Sequence, residues 1–245
     1  MRTLSWKPIL ANLNEAAGEL DELHCRLHYQ AFEELPDDWR SPSGESHADR
    51  IAQLERRGPF TESTLFSSLE HAYHHLNCAW NFRWAPEERI RRFSMADARR
   101  WTRFPDTKRF ASLWPDDRTV RAGTGAIGRG KVQPTVTRIE IRTALRKLEI
   151  LCYLVAKELG GNSPLKVERP KGLFPEVGDH PLAEKELANR MFVIYRRLNL
   201  AWNGRKDKTF GRGSRAIRNR ERFPSVFATG SWNMWRPAGV PNRDA

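Results

Sequence analysis

The side chains best placed to do chemistry in this chain are its arginines. The 245 residues carry a net charge of +12 with a sequence pI near 10.1, and the 42 basic residues are 32 Arg against 10 Lys. A guanidinium offers phosphate two parallel hydrogen bonds and can also lie flat on a base, which an ammonium cannot do. A GC-rich genome would favour Arg as well, so the ratio alone says little. The placement says more. Residues 83–109 hold nine basic and four acidic side chains, and residues 205–222 hold eight and two. Residues 118–142 hold six and one, and the rest of the chain is net negative. Such focusing gives affinity for polyanions by counterion release. Trp84, Phe93, Trp101, Phe104, Phe210 and Phe223 are interleaved with these arginines, and aromatic faces among arginines suit unpaired bases.

The candidate nucleic-acid contacts are therefore Arg83, Arg91, Arg92, Arg99, Arg100, Trp101 and Arg103 in the first stretch, and Arg129 and Lys131 in the middle one. In the last they are Arg205, Lys206, Lys208, Phe210, Arg212, Arg215, Arg218, Arg220 and Arg222. Trp101 or Phe210 would stack and the rest would grip phosphate. The two outer stretches are expected to form one gripping surface. RNA or single-stranded nucleic acid is the expected partner, within a larger complex. The alternatives are a protein-interaction module that docks an acidic partner, and a helical-bundle metalloprotein.

The metal alternative rests on histidine spacing. His24 and His28 are four apart, as are His71 and His75, with Cys78 three further on. Two antiparallel helices could bring these together around a divalent ion. The second half of the chain has Leu148, Cys152, Val193, Arg197 and Leu200 at the corresponding positions, which weakens the reading, and no metal or other cofactor is expected. Gly125 to Lys131 imitates a phosphate-binding loop, but Val132 stands where Ser or Thr should hold Mg²⁺ and no strand precedes it. Arg40 and His47 have a spacing found in some helical ribonucleases, here within a Pro, Gly and Ser loop. No Ser/His/Asp, Cys/His or paired-carboxylate arrangement marks a catalytic centre.

A second constellation occurs twice. Leu76-Asn77-Cys78-Ala79-Trp80-Asn81-Phe82-Arg83 returns as Leu198-Asn199-Leu200-Ala201-Trp202-Asn203-Gly204-Arg205, 122 residues later. Ten of the 25 positions from Pro59/Pro181 to Arg83/Arg205 are identical, Glu62/Glu184 and Tyr73/Tyr195 among them. Arg103-Phe104-Pro105 recurs as Arg222-Phe223-Pro224, and Leu27, Tyr29, Glu34 and Leu35 match Leu151, Tyr153, Glu158 and Leu159 at an offset of 124. Asn is a poor helix former, so two Asn one turn apart in each copy need a hydrogen-bonding reason. The favoured reason is structural. Asn77, Asn81, Asn199 and Asn203 would cap the following Arg-Phe-Pro turn while Trp80 and Trp202 fill the gap between helices.

These side chains need helices to carry them. Apolar residues at Leu20, Leu23, Leu27 and Ala31 give one helical face over Leu13–Leu35, and Phe66, Leu69, Tyr73, Leu76 and Trp80 another from Pro59 to about Trp84. Ser94 and Asp97 have capping-box spacing for a short third helix. The second copy would follow the plan with Arg138–Leu159, Pro181 to about Trp202, and Ser214–Arg222. The expected fold is all-α: duplicated hairpins closing an antiparallel bundle with pseudo-two-fold symmetry. Residues 1–116 and 137–245 would be the copies, packed as one domain, with 117–136 a basic Gly-rich linker. No signal-peptide-like or membrane-spanning apolar run is evident, so a cytoplasmic protein without a membrane partner is expected. Three scattered cysteines make no disulfide framework.

Overall fold

A computed structural model describes residues 4–37, 39, 44–92, 94–105, 110, 121–122, 131–160, 181–206 and 221–222. They are mostly helical. Helix α1 spans Trp6–Phe32, α2 His47–Arg56, α3 Glu62–Asn81, α4 Glu87–Arg91, α5 Met95–Trp101, α6 Pro134–Leu159 and α7 Glu184–Asn203. A single 3₁₀ turn, Gly204–Lys206, follows α7. Two residues of strand, β1 (Arg121–Ala122), pair in parallel with β2 (Glu221–Arg222). No described helix is long and apolar enough to cross a membrane.

The four long helices form the bundle: α1 packs on α3 and α6, α6 on α7, and α7 on α3. One continuous core joins them, with Leu13, Leu20, Leu23, Leu69, Tyr73, Ile141, Leu148, Leu151, Ile194, Tyr195 and Leu198 all buried. Each such side chain contributes about 1.5–3 kcal/mol of hydrophobic burial. At its centre the Tyr73 and Tyr195 rings lie 5.3 Å apart. Tyr73 Oη donates to the Tyr195 carbonyl at 3.3 Å, and Tyr195 Oη donates to Asn77 Oδ1 at 2.7 Å.

The helix limits follow local chemistry. Helix α1 begins at Trp6, seven residues before the Leu13 expected from its apolar stripe, and ends where Glu33 turns left-handed at φ 60°. Its N-terminus is fixed by Ser5, whose N–H donates to the Arg83 carbonyl at 2.8 Å and whose Oγ donates to Ala85. Helix α6 stops at Gly160, φ 56°, where the absence of Cβ removes the steric cost. Helix α2 was not expected. Ser46 Oγ accepts from Asp49 N at 3.1 Å and opens a helix within the stretch read as a loop. It packs Leu54 beside Cys25, Leu35 and Trp39. Helix α5 starts as expected: Asp97 N donates to Ser94 Oγ, and Ser94 N to Asp97 Oδ2. Arg222 lies on β2, not at the end of a helix over 214–222; residues 214–220 are outside those described.

Contacts recur in pairs along the bundle. Ser5 N donates to the Arg83 carbonyl, and Gln133 N to the Arg205 carbonyl, both at 2.8 Å. Phe60 N donates to Gln30 Oε1 and Leu182 N to Glu158 Oε1. His75 Nδ1 meets Asn12 Oδ1 at 3.2 Å, while Arg197 donates to Glu140 Oε2 at 3.0 Å. Across the second helices these pairs keep the 122-residue offset. Across α1 and α6 the offset is 128, which also matches the buried Leu13/Ile141, Ala16/Ala144, Leu20/Leu148 and Leu23/Leu151. The sequence match at 124 differs from this offset by four residues, about one helical turn. A slip of four residues keeps apolar positions on the same face, so periodicity alone does not detect it.

Candidate functional site

The repeated motif ends both α3 and α7, and its side chains act inward. Asn77 Nδ2 donates to the Thr102 carbonyl at 2.8 Å. Asn81 Nδ2 donates to the carbonyls of Trp101 and Arg103 at 2.8 and 2.7 Å. The two amides thus hold the turn after α5 against the end of α3. At the end of α7, Asn203 Nδ2 donates to the Asn199 carbonyl at 2.8 Å; Phe223 and Pro224, after Arg222, lie outside the described residues. Trp80 and Trp202 are buried in the main core.

Arg83 and Arg205 are both engaged by internal partners. Arg83 Nε donates to Glu184 Oε1 at 2.8 Å and its Nη1 to the Trp80 carbonyl at 2.8 Å. Its guanidinium carbon sits 3.9 Å from the ring centres of both Trp80 and Trp84. Arg205 repeats the arrangement: Nε faces Glu62 Oε2 at 3.4 Å, Nη1 donates to the Trp202 carbonyl at 2.9 Å, and the guanidinium lies 3.8 Å over the Trp202 ring. Arg205 is 8% exposed. Each Glu sits in the first turn of its helix, where the macrodipole favours a carboxylate.

Those pairs also fix where the basic stretches begin. Arg83 stands at the C-terminal end of α3 beside the start of α7, and Arg205 at the C-terminal end of α7 beside the start of α3. With 20 residues in each helix, the two points are about 30 Å apart. The outer stretches therefore leave from opposite ends of the bundle and do not start as one surface. The middle stretch instead meets the last one. Gln133 N bonds the Arg205 carbonyl, β1 pairs with β2, and Lys131 forms a backbone bridge with Thr61.

Trp101 is 4% exposed and packs edge-on against Phe82 at 4.5 Å, so it offers no face to a base. Arg100 and Arg103 are exposed. Arg92 is exposed and pairs with Glu88 at 2.9 Å, and Arg89 pairs with Asp97 at 3.0 Å. Arg91 and Arg99 lie on α4 and α5. Lys131 and Lys206 are exposed, the latter 3.6 Å from Glu62. Arg129, Lys208, Phe210, Arg212, Arg215, Arg218 and Arg220 lie outside the described residues.

Among the described residues, no group of three His, Cys, Asp or Glu side chains is placed to share a metal ion. His71 pairs with Glu19 at 2.7 Å through Nδ1 and meets His75 at 3.1 Å through Nε2. His74 Nε2 lies 3.8 Å from Cys78 Sγ. Burial pushes the His74 and His75 imidazoles down to about 3, and the Cys78 thiol up. His24 and His28 lie on α1 with ring centres 6.0 Å apart.

An arginine of the middle stretch packs on α1, a contact that the sequence alone does not predict. Arg138 on α6 donates to His28 Nδ1 at 3.3 Å and lies 4.6 Å over the Phe32 ring. Its pKa is lowered by burial and by Arg142, and His28 is lowered by burial, Arg138 and Arg142. The available signal was the four-residue spacing of Arg138, Arg142 and Arg146 along one helix. No protein-family model, curated protein or solved structure matches this chain.

Proposed function

We propose that the protein is a non-enzymatic nucleic-acid-binding scaffold, taking RNA or single-stranded nucleic acid, that serves as an accessory subunit of a larger complex. One observation carries the reading: the two basic stretches 118–142 and 205–222 are tied together by the β1–β2 pair and by the Gln133–Arg205 bond. The stretches carry net charges of +5 and +6 in sequence, and their described members Lys131, Arg138 and Lys206 stand at or near the end of the bundle where α3 and α6 begin. That end replaces the single surface expected from residues 83–109 and 205–222. Burial first and neighbouring arginines second depress the pKa values of Arg138 and His28, consistent with crowded positive charge there.

The same reading includes an origin. The paired contacts and the repeated motif are those expected of a duplicated hairpin folded about a pseudo-two-fold axis beside Tyr73 and Tyr195. Divergence after duplication would explain why one end became the more basic.

Fluorescence anisotropy with labelled single-stranded RNA, read across a salt series, tests the function. Log affinity is expected to fall against log salt with a slope of several units. A flat response, or no binding at low salt, overturns it. Competition by polyglutamate but not by unlabelled RNA would assign the surface to an acidic protein partner instead.

A further inference from the structure

We propose that Phe32 and His28 of α1, with Arg138 and Arg142 of α6, form a nucleotide platform that takes one unpaired base and its phosphate. The inference rests on the nucleic-acid reading above and names where a strand is held. Phe32 is 49% exposed, a large ring left in water at the end of a helix whose other aromatics are covered or half-covered. One side of that ring carries the Arg138 guanidinium at 4.6 Å, and the His28 ring lies 4.8 Å away. A half-exposed ring with a guanidinium over it suits a base, since any base has a π-face to lay on it.

The electrostatics call for an anion. Among the described residues Arg138 has no carboxylate partner: its acceptor is a neutral imidazole nitrogen, and its Nε finds none. Accepting that bond places the remaining hydrogen of neutral His28 on Nε2, a second donor. Exposed Arg142 follows one turn along the same face. The first turn of α6 holds no acidic residue to answer the helix dipole. The acids acting on His28 are Glu34 and Asp37, both exposed. An acidic peptide would answer Arg138 but would leave the Phe32 ring uncovered. A nucleotide uses both. The platform adjoins the basic end, because Gln30 Nε2, one turn before Glu34, donates to the Val132 carbonyl beside Lys131.

The test uses the full chain and a fluorescein-labelled oligouridylate of about twelve nucleotides. Phe32→Ala should weaken binding about fivefold or more, while Phe32→Tyr retains it. Arg142→Ala should lower the salt slope by about one. Arg196→Ala, on the exposed side of α7, is the control for generic charge loss. Ultraviolet cross-linking to 4-thiouridine should modify the peptide that contains Phe32. Wild-type binding with a steep slope, matched by Phe32→Ala and Arg142→Ala, overturns the platform and leaves the nucleic-acid reading intact. No wild-type binding at low salt overturns both. Equal displacement by polyglutamate, with the same loss in Phe32→Ala, overturns the nucleotide assignment in favour of an acidic polypeptide.

Discussion

Arg205 Nε lies 3.4 Å from Glu62 Oε2, and both side chains are more than nine-tenths buried. The bond joins the turn after α7 to the first turn of α3, and Arg83, after α3, returns it to Glu184 in the first turn of α7. The two pairs differ in environment, since Glu184 keeps 38% of its side chain in water. Without Arg205 the buried Glu62 keeps, among the described residues, only the exposed Lys206, at 3.6 Å, whereas the partly solvated Glu184 recovers hydration when Arg83 is removed. Arg205→Ala should therefore cost about 3 kcal/mol and Arg83→Ala about 1 kcal/mol, measured by urea unfolding. Equal costs would contradict the role given to burial.

The tyrosines at the centre provide a second comparison. Tyr195 Oη holds Asn77 Oδ1 at 2.7 Å, while Tyr73 Oη reaches a carbonyl at the longer 3.3 Å. Tyr195→Phe leaves a buried amide oxygen short of a donor, and Tyr73→Phe loses a weaker bond. The first should cost about 1–3 kcal/mol and the second less than about 1 kcal/mol.

Acid should loosen the bundle before it titrates carboxylates. His74 and His75 are held neutral, with pKa values near 3 against an ordinary 6.5. Between those limits the unfolded chain binds more protons than the folded one. Stability is thus complete above about pH 6.5 and falls as pH drops toward 3, by up to about 1.4 kcal/mol per pH unit for each imidazole. Unfolding free energies at pH 7, 6 and 5 should show the decline, and His74→Leu should reduce its slope. A flat profile over that range would refute the buried neutral state.

Glu33 adopts φ 60° at the end of α1, a conformation that costs a side chain with a Cβ and puts a carboxylate at the negative pole of the helix. Glu33→Gly removes both penalties. An increase of about 0.5–1 kcal/mol in stability is expected, read as a shift in the urea midpoint with an unchanged slope.

The helices were legible because their stripes are apolar and periodic, and the Asn-x-Ala-Trp-Asn-x-Arg repeat marked where two of them end. The inward fate of Arg83 and Arg205 was less visible. An arginine after a repeated motif reads alike whether it faces phosphate or carboxylate. The clue was Glu62 and Glu184, identical in both copies at the same offset. Helix α2 was missed although Ser46-His47-Ala48-Asp49 has the spacing of Ser94-Met95-Ala96-Asp97, because the Pro, Gly and Ser residues before it dominated the reading. Phe32 and Arg138 are 106 residues apart in sequence, and only the packing of α1 on α6 makes them neighbours.

The reciprocal arginine pairs cross between the two halves of the bundle, each half giving one arginine and one glutamate. Residues 1–116 contain both Arg83 and Glu62, the two halves of one such bond. Cut free of its partner hairpin, that fragment would carry an uncovered apolar face with an arginine at one end and a glutamate at the other, self-complementary under a two-fold rotation. It is expected to associate with itself or to recapture the missing half when the two are co-expressed.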